Sequence, residues 1–182
     1  MGVMFDLASS PECLKELECE LPKSSALDRK RWASRILQEH IDLKELSHLL
    51  FQKKEIALRF LWLLSEIGEQ DPKALLHHLP YLFKLREQGE HVDLHAQFAT
   101  YWLIAGVPNE NEAAAINLLF GLLNSSVANV TTKSRALLVL QALTSKFPEL
   151  KNELKVCLEE QLNRNTKNFN KQAMKMLEAL DG

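Results

Sequence analysis

The sequence predicts an all-α protein, on three observations. Helical periodicity runs through nearly every segment, strand signals are missing, and the helices pair off at intervals of about forty residues. No stretch sustains alternation of apolar and polar residues. No Asn-Gly or Asp-Gly turn joins two such runs.

Each helix follows from local signals. A segment around Glu12 to Glu20 carries the fewest. Ser24 or Ser25 offers an N-cap for a helix to about Glu39, with Leu27, Trp32, Ile36 and Leu37 as its apolar positions. Asp42 caps a short helix bearing Leu43, Leu46, Leu49 and Leu50. Lys53 to Ile67 reads as a helix with Gly68 as its stop. Asp71-Pro72 opens the next, because the carboxylate accepts from orphan amides and Pro loses nothing at the first helical position. Its stripe is Leu75, Leu76, Leu79, Leu82 and Phe83, and Pro80 inside it is expected to kink it. Val92 to Ala105 ends near Gly106 and Pro108, and Glu110 to Leu123 follows. Thr131 or Thr132 caps a helix through Lys146, Pro148 begins one to about Leu162, and Thr166 opens the last, to about Leu180.

Bulk properties narrow the function classes. A hydrophobic fraction of 46% and a charged fraction of 25% describe a folded soluble chain rather than a disordered one. The net charge of −2 gives no long-range pull toward nucleic acid or anionic membranes. Cys13, Cys19 and Cys157 are too few for a disulfide scaffold and fit reduced thiols in the cytoplasm. Met1 to Ser10 lacks the pattern of a signal peptide, and Asp6 stands where a myristoylation site wants Ser or Thr. Without a secretory signal, the sequons at Asn124 and Asn129 read as chance.

The lead alanines set the period. Ala33, Ala57, Ala96 and Ala136 open similar segments, and Ala173 starts a half repeat. Successive spacings are 24, 39, 40 and 37 residues, the last three near the repeat length of stacked helical hairpins. A lone hairpin cannot cover its apolar face, so stacking the next one on it completes the core. Small Ala at the helix start lets backbones approach. Trp62 and Trp102, five and six residues on, read as core wedges.

This pattern resembles HEAT-like repeats. The run from Lys133-Ser134-Arg135-Ala136 through Phe147-Pro148-Glu149-Leu150 to Leu154 resembles an uncharacterised family of short bacterial HEAT-like proteins. The likeness covers most of residues 29–180. It implies a right-handed α-α superhelix over a single domain, residues 1–182, with 1–22 as a loosely ordered or capping segment. It transfers no catalytic motif.

Candidate sites compete with plain structural readings. His91 and His95 share a helix face at metal-pair spacing, but no third ligand is evident, so no metal or other cofactor is expected. His77 and His78 are adjacent and point apart. Cys157 reads as a buried inert thiol. Arg164, Lys167, Lys171 and Lys175, and likewise Lys23, Arg29, Lys30, Arg31 and Arg35, read as solvated basic faces that could also meet an anion. Glu12, Glu16, Glu18 and Glu20 form an opposite pole.

Second helices of a solenoid line one surface. Lys73, His77, Tyr81 and Lys84 fall on one side of their helix, and Lys44, His48, Lys151 and Lys155 occupy comparable positions elsewhere. These eight are the expected binding surface. The expected function is non-enzymatic: a protein–protein interaction or scaffold module whose partner is another protein or a second copy. The alternative is a DNA-binding protein related to HEAT-like alkylpurine DNA glycosylases, with Trp62 or Trp102 as its aromatic. A metal-dependent enzyme built on His91 and His95 comes last. Phosphate loops, nucleophile elbows and zinc-finger spacings are absent.

Overall fold

The computed structural model describes residues 11–88 and 92–181. The expectations for Met1 to Ser10 and for His91 lie outside them. The described residues contain α-helices and short 3-10 turns and no strand. They divide into two compact units, Met1–Leu94 and His95–Gly182.

In the first unit, α1 (Pro11–Glu20) runs into a 3-10 turn over Leu21–Lys23. Cys13, Leu17 and Leu21 bury one side of this segment. Its acidic side chains are tied to neighbours: Glu20 accepts from the Trp32 indole at 2.9 Å and Glu16 pairs with Arg35 at 2.7 Å. A capping box starts α2 (Ala26–Gln38): Ser25 Oγ accepts from Asp28 N, and the Asp28 carboxylate accepts from Ser25 N. Trp32, Ala33 and Ile36 form its buried face, whereas Leu27, expected in that stripe, is 58% exposed in the first turn.

Asp42 caps the single turn of α3 (Leu43–Leu46), which tightens into a 3-10 segment through Phe51. Then α4 (Lys54–Gln70) runs past Gly68, the expected stop, which is buried within it. The terminator is Asp71, held extended because the following Pro72 crowds the helical conformation. Asp71 then accepts from Lys73 N and Ala74 N to cap α5 (Pro72–Lys84), and Pro80 sits inside that helix.

Packing joins helices two apart as well as neighbours: α2 lies on α4, and α3 on α5. Ala33 and Ala57 are fully buried and permit the α2–α4 approach. Enlarging either forces strain of about 1–3 kcal/mol. A polar clamp also spans the pair, since Ser34 Oγ donates to Gln70 Oε1 at 2.8 Å and Gln70 Nε2 donates to the Lys30 carbonyl at 3.0 Å. Trp62 is not the expected core wedge. It is 38% exposed, because its position on α4 faces outward between arginines rather than into the α2–α5 core.

The second unit is also helical. Its helices are α6 (Leu94–Ala105), α7 (Glu112–Asn124), α8 (Val130–Thr144), α9 (Leu150–Gln161) and α10 (Lys167–Asp181). Gly106, at φ 88°, takes the left-handed place that closes α6. Asn129, not Thr131 or Thr132, caps α8 by accepting from Thr132 N at 2.9 Å. Here α7 packs on α8 and α9, and α8 on α10. Trp102 is a core residue at 2% exposure, with Phe98 5.0 Å away between ring centroids. Ala136 and Ala173 are fully buried, but the lead Ala96 is only half-buried and Ala99 fills the buried place. No helix among the described residues is long and apolar enough to cross a membrane.

Candidate functional site

The site begins where α2 ends. The Ile41 amide donates to the Ile36 carbonyl at 3.0 Å and the His40 amide to the Leu37 carbonyl at 3.3 Å. These two bonds define a Schellman close, which needs a left-handed residue at its corner. That residue is His40, at φ 52°, where glycine is the usual choice. Holding an L-residue there costs about 1–2 kcal/mol. Ile41 is buried next to it and anchors the turn.

This turn faces the first half of α5 across a cleft of about 460 Å³. Ile36, Ile41, Leu43 and Ala74 supply apolar lining, and Asp42, Lys44, Asp71 and His77 supply charged and polar groups. Both carboxylates are engaged as caps, Asp42 to Lys44 N at 2.9 Å and Asp71 to Lys73 N at 3.0 Å. The volume lies within the usual range of ligand and side-chain pockets.

His78 also lines the cleft, at 3% exposure. Ser47 Oγ lies 3.2 Å from its Nε2 and 3.0 Å from the Leu43 carbonyl. The hydroxyl has one proton and donates it to the carbonyl, so His78 Nε2 is the donor toward Ser47. In this arrangement the imidazole donates to Ser47 rather than accepting its proton. Burial pushes the His78 pKa down to about 4, opposed by the charge of Asp42 and aided by Lys44 and His77. The ring is neutral near pH 7.

The expected binding residues divide. Lys44 and His77 line the cleft, and Tyr81 lies below, its ring centroid 5.8 Å from Lys44 Nζ. Lys73 and Lys84 are exposed on α5 outside the lining. His48 turns to α1, with Nε2 2.5 Å from Glu18 and Nδ1 2.6 Å from the Glu45 carbonyl. Burial lowers the His48 pKa, but these bonds and the Glu18 charge outweigh it and leave it raised. In the second unit Lys151 is exposed and Lys155 Nζ is 2.5 Å from Asp181.

Sequence reading missed His40, Asp42, Asp71 and His78 as site residues. The two aspartates were visible only as caps. His78 pointed away from His77, with nothing to say which of the two was buried. The one available signal for His40 was a helix end without Gly or Asn. No group of three or more His, Cys, Asp or Glu among the described residues could hold a metal ion. His95 lies at the start of α6, and its proposed companion His91 lies outside the described residues.

The described residues define an all-α protein whose first unit carries a mixed polar and apolar cleft. No family model, curated protein or solved structure matches this chain.

Proposed function

We propose that the chain is a non-enzymatic protein-binding module whose helical pairs are HEAT-like repeats, and that a partner segment seats in the cleft between the α2 turn and α5. The spacing of the lead alanines in the sequence supports the repeat reading. One observation carries the binding reading: a non-glycine residue, His40, is held left-handed at the cleft that Lys44 and His77 also line. Strain of this kind persists where the surroundings enforce it, and such positions cluster at functional sites. The cleft fits a short segment that inserts an apolar side chain and places polar groups against Lys44, Asp42 and Asp71. Three free thiols suit a reducing compartment.

The test is site-specific photo-crosslinking in cells expressing the full chain. A photoreactive residue at His77 is expected to give a defined adduct with one protein. That adduct should vanish when Ala74→Arg fills the cleft. Equal adducts from His77 and from Lys151, or an adduct indifferent to Ala74→Arg, would sink the reading.

DNA binding is the second reading. It gains from the exposure of Trp62 and loses from the burial of Trp102 and the net charge of −2.

A further inference from the structure

Two surfaces of the second unit carry opposite charge. The first is a groove of about 410 Å³ between α7 and α9. Buried Phe120 and Cys157 form its floor, and the Cys157 thiol donates to Asn124 Oδ1 at 2.9 Å, which ties α9 to α7. The lining holds two exposed carboxylates, Glu153 and Glu160, and no basic residue. Val156 lies between them on α9 and is 57% exposed.

The second surface is the outer face of α10. Phe169, Ala173, Met176 and Leu180 are buried on the side that packs against α8 and α9. The opposite side presents Lys167, Lys171 and Lys175 about one turn apart, with Glu178 beyond them. Met174 stands in that row and is 56% exposed. Among the described residues, these lysines and the two groove glutamates form no ion pair.

We propose that copies of this chain associate by seating the basic face of α10 of one in the acidic α7–α9 groove of another. The spacing agrees as well as the charge. Glu153 and Glu160 lie about 10.5 Å apart along α9, and Lys167 and Lys175 about 12 Å apart along α10. In antiparallel register Lys175 meets Glu153 and Lys167 meets Glu160. Met174 and Val156 then fall between the two pairs, and Glu178 falls past the end of the groove. One chain cannot join its own two surfaces, because α10 is packed with this face outward. A polyanion would use the lysines and leave the acidic groove without a role, whereas a second copy uses both. Met174 is the one large apolar residue exposed on α10, too little to enter a bilayer. Helix and groove are different patches, so each copy can give one and receive the other. A single helix in a single groove is a small interface, so the association is weak and sensitive to salt. It stands apart from the cleft of the first unit, and Ala74→Arg should leave it unchanged.

The experiment is sedimentation velocity of the full chain over a concentration series, at about 0.05 M and about 0.5 M salt. The average mass should rise with concentration at low salt, and association should be about tenfold weaker at high salt. Lys167→Glu with Lys175→Glu should abolish association, and so should Glu153→Lys with Glu160→Lys. An equimolar mixture of these two variants should restore it, because the reversed helix of one then faces the reversed groove of the other. All four positions are exposed, and circular dichroism checks that the helices persist. Should a reversal fail to fold, glutamine at the same two positions reads the same loss. A parent that stays monomeric throughout overturns the proposal. Association that survives either reversal overturns it, and so does a mixture that stays monomeric. A monomeric parent that binds oligothymidylate or anionic vesicles through α10 makes that face a polyanion site instead.

Discussion

Acidification should weaken the first unit through one side chain, His78. Its imidazole is neutral and buried in the folded state, with a pKa pushed down to about 4 from 6.5. The unfolded chain therefore binds more protons than the folded one between those two values. Stability from this group is full above the unfolded value and is lost as pH falls toward the folded one. Integrating from about pH 7 to about pH 4.5 gives a loss of about 2.4 kcal/mol. Other groups move over neighbouring ranges. His48, with its raised pKa, acts the opposite way: its contribution is full below the unfolded value and fades as pH rises. Asp28 is held low by the Ser25 hydrogen bonds and Glu39 by the Arg35 one, so both contribute above the ordinary carboxyl range and fade below it.

Comparison with His78→Gln isolates the imidazole, because glutamine keeps a donor for Ser47 and does not titrate. Urea unfolding can be followed by tryptophan emission in a Trp102→Phe background. There Trp32 and Trp62, both in the first unit, supply the signal. The parent should lose about 2 kcal/mol more than the variant over that pH interval. Parallel losses in the two proteins would refute the argument, as would an imidazole NMR titration placing His78 near its ordinary value.

Four more expectations follow from the same geometry. His40→Gly relieves the left-handed corner after α2 and should raise stability by about 0.5–1 kcal/mol, after the entropy glycine adds to the unfolded chain; denaturant midpoints check it. Ser25→Ala breaks the capping box of α2 and should cost about 1 kcal/mol, seen as a fall in Tm of about 2–4 °C. Lys133 is buried with its ammonium 3.0 Å from Gln161 Oε1, so Gln161→Leu should cost about 2–4 kcal/mol. Adding Lys133→Met should recover most of that loss, and an unrelieved double variant would contradict the account. Iodoacetamide should label the exposed Cys19 first. Burial pushes the Cys157 thiol up to about 11 and also raises Cys13, so mass mapping of the native protein should find both largely spared.

Helix positions were legible in the sequence because the signals that set them are local. Apolar spacing marked each helix, and the cap of α5 at Asp71-Pro72 was readable from two adjacent residues. Errors fell where two local signals competed. Gly68 suggested a stop, yet an intrahelical glycine carries only a small penalty, and Pro72 set the end instead. Asn129 outcompeted the threonines behind it as the cap of α8. The lead alanines at 33, 57, 136 and 173 are all buried. At Ala96 the register was three residues off, because Ala99 shares the same helix face.

By itself, the sequence determined the all-α class, the order of the helices and most of the core, since each depends on periodicity within some fifteen residues. Only tertiary packing decided which histidine of the 77–78 pair is buried and which tryptophan reaches the surface. Those outcomes depend on what lies across a helix interface: Ser47 opposite His78, and Arg29 of α2 opposite Trp62 of α4. A one-dimensional pattern specifies the face of a helix but not the side chain it meets.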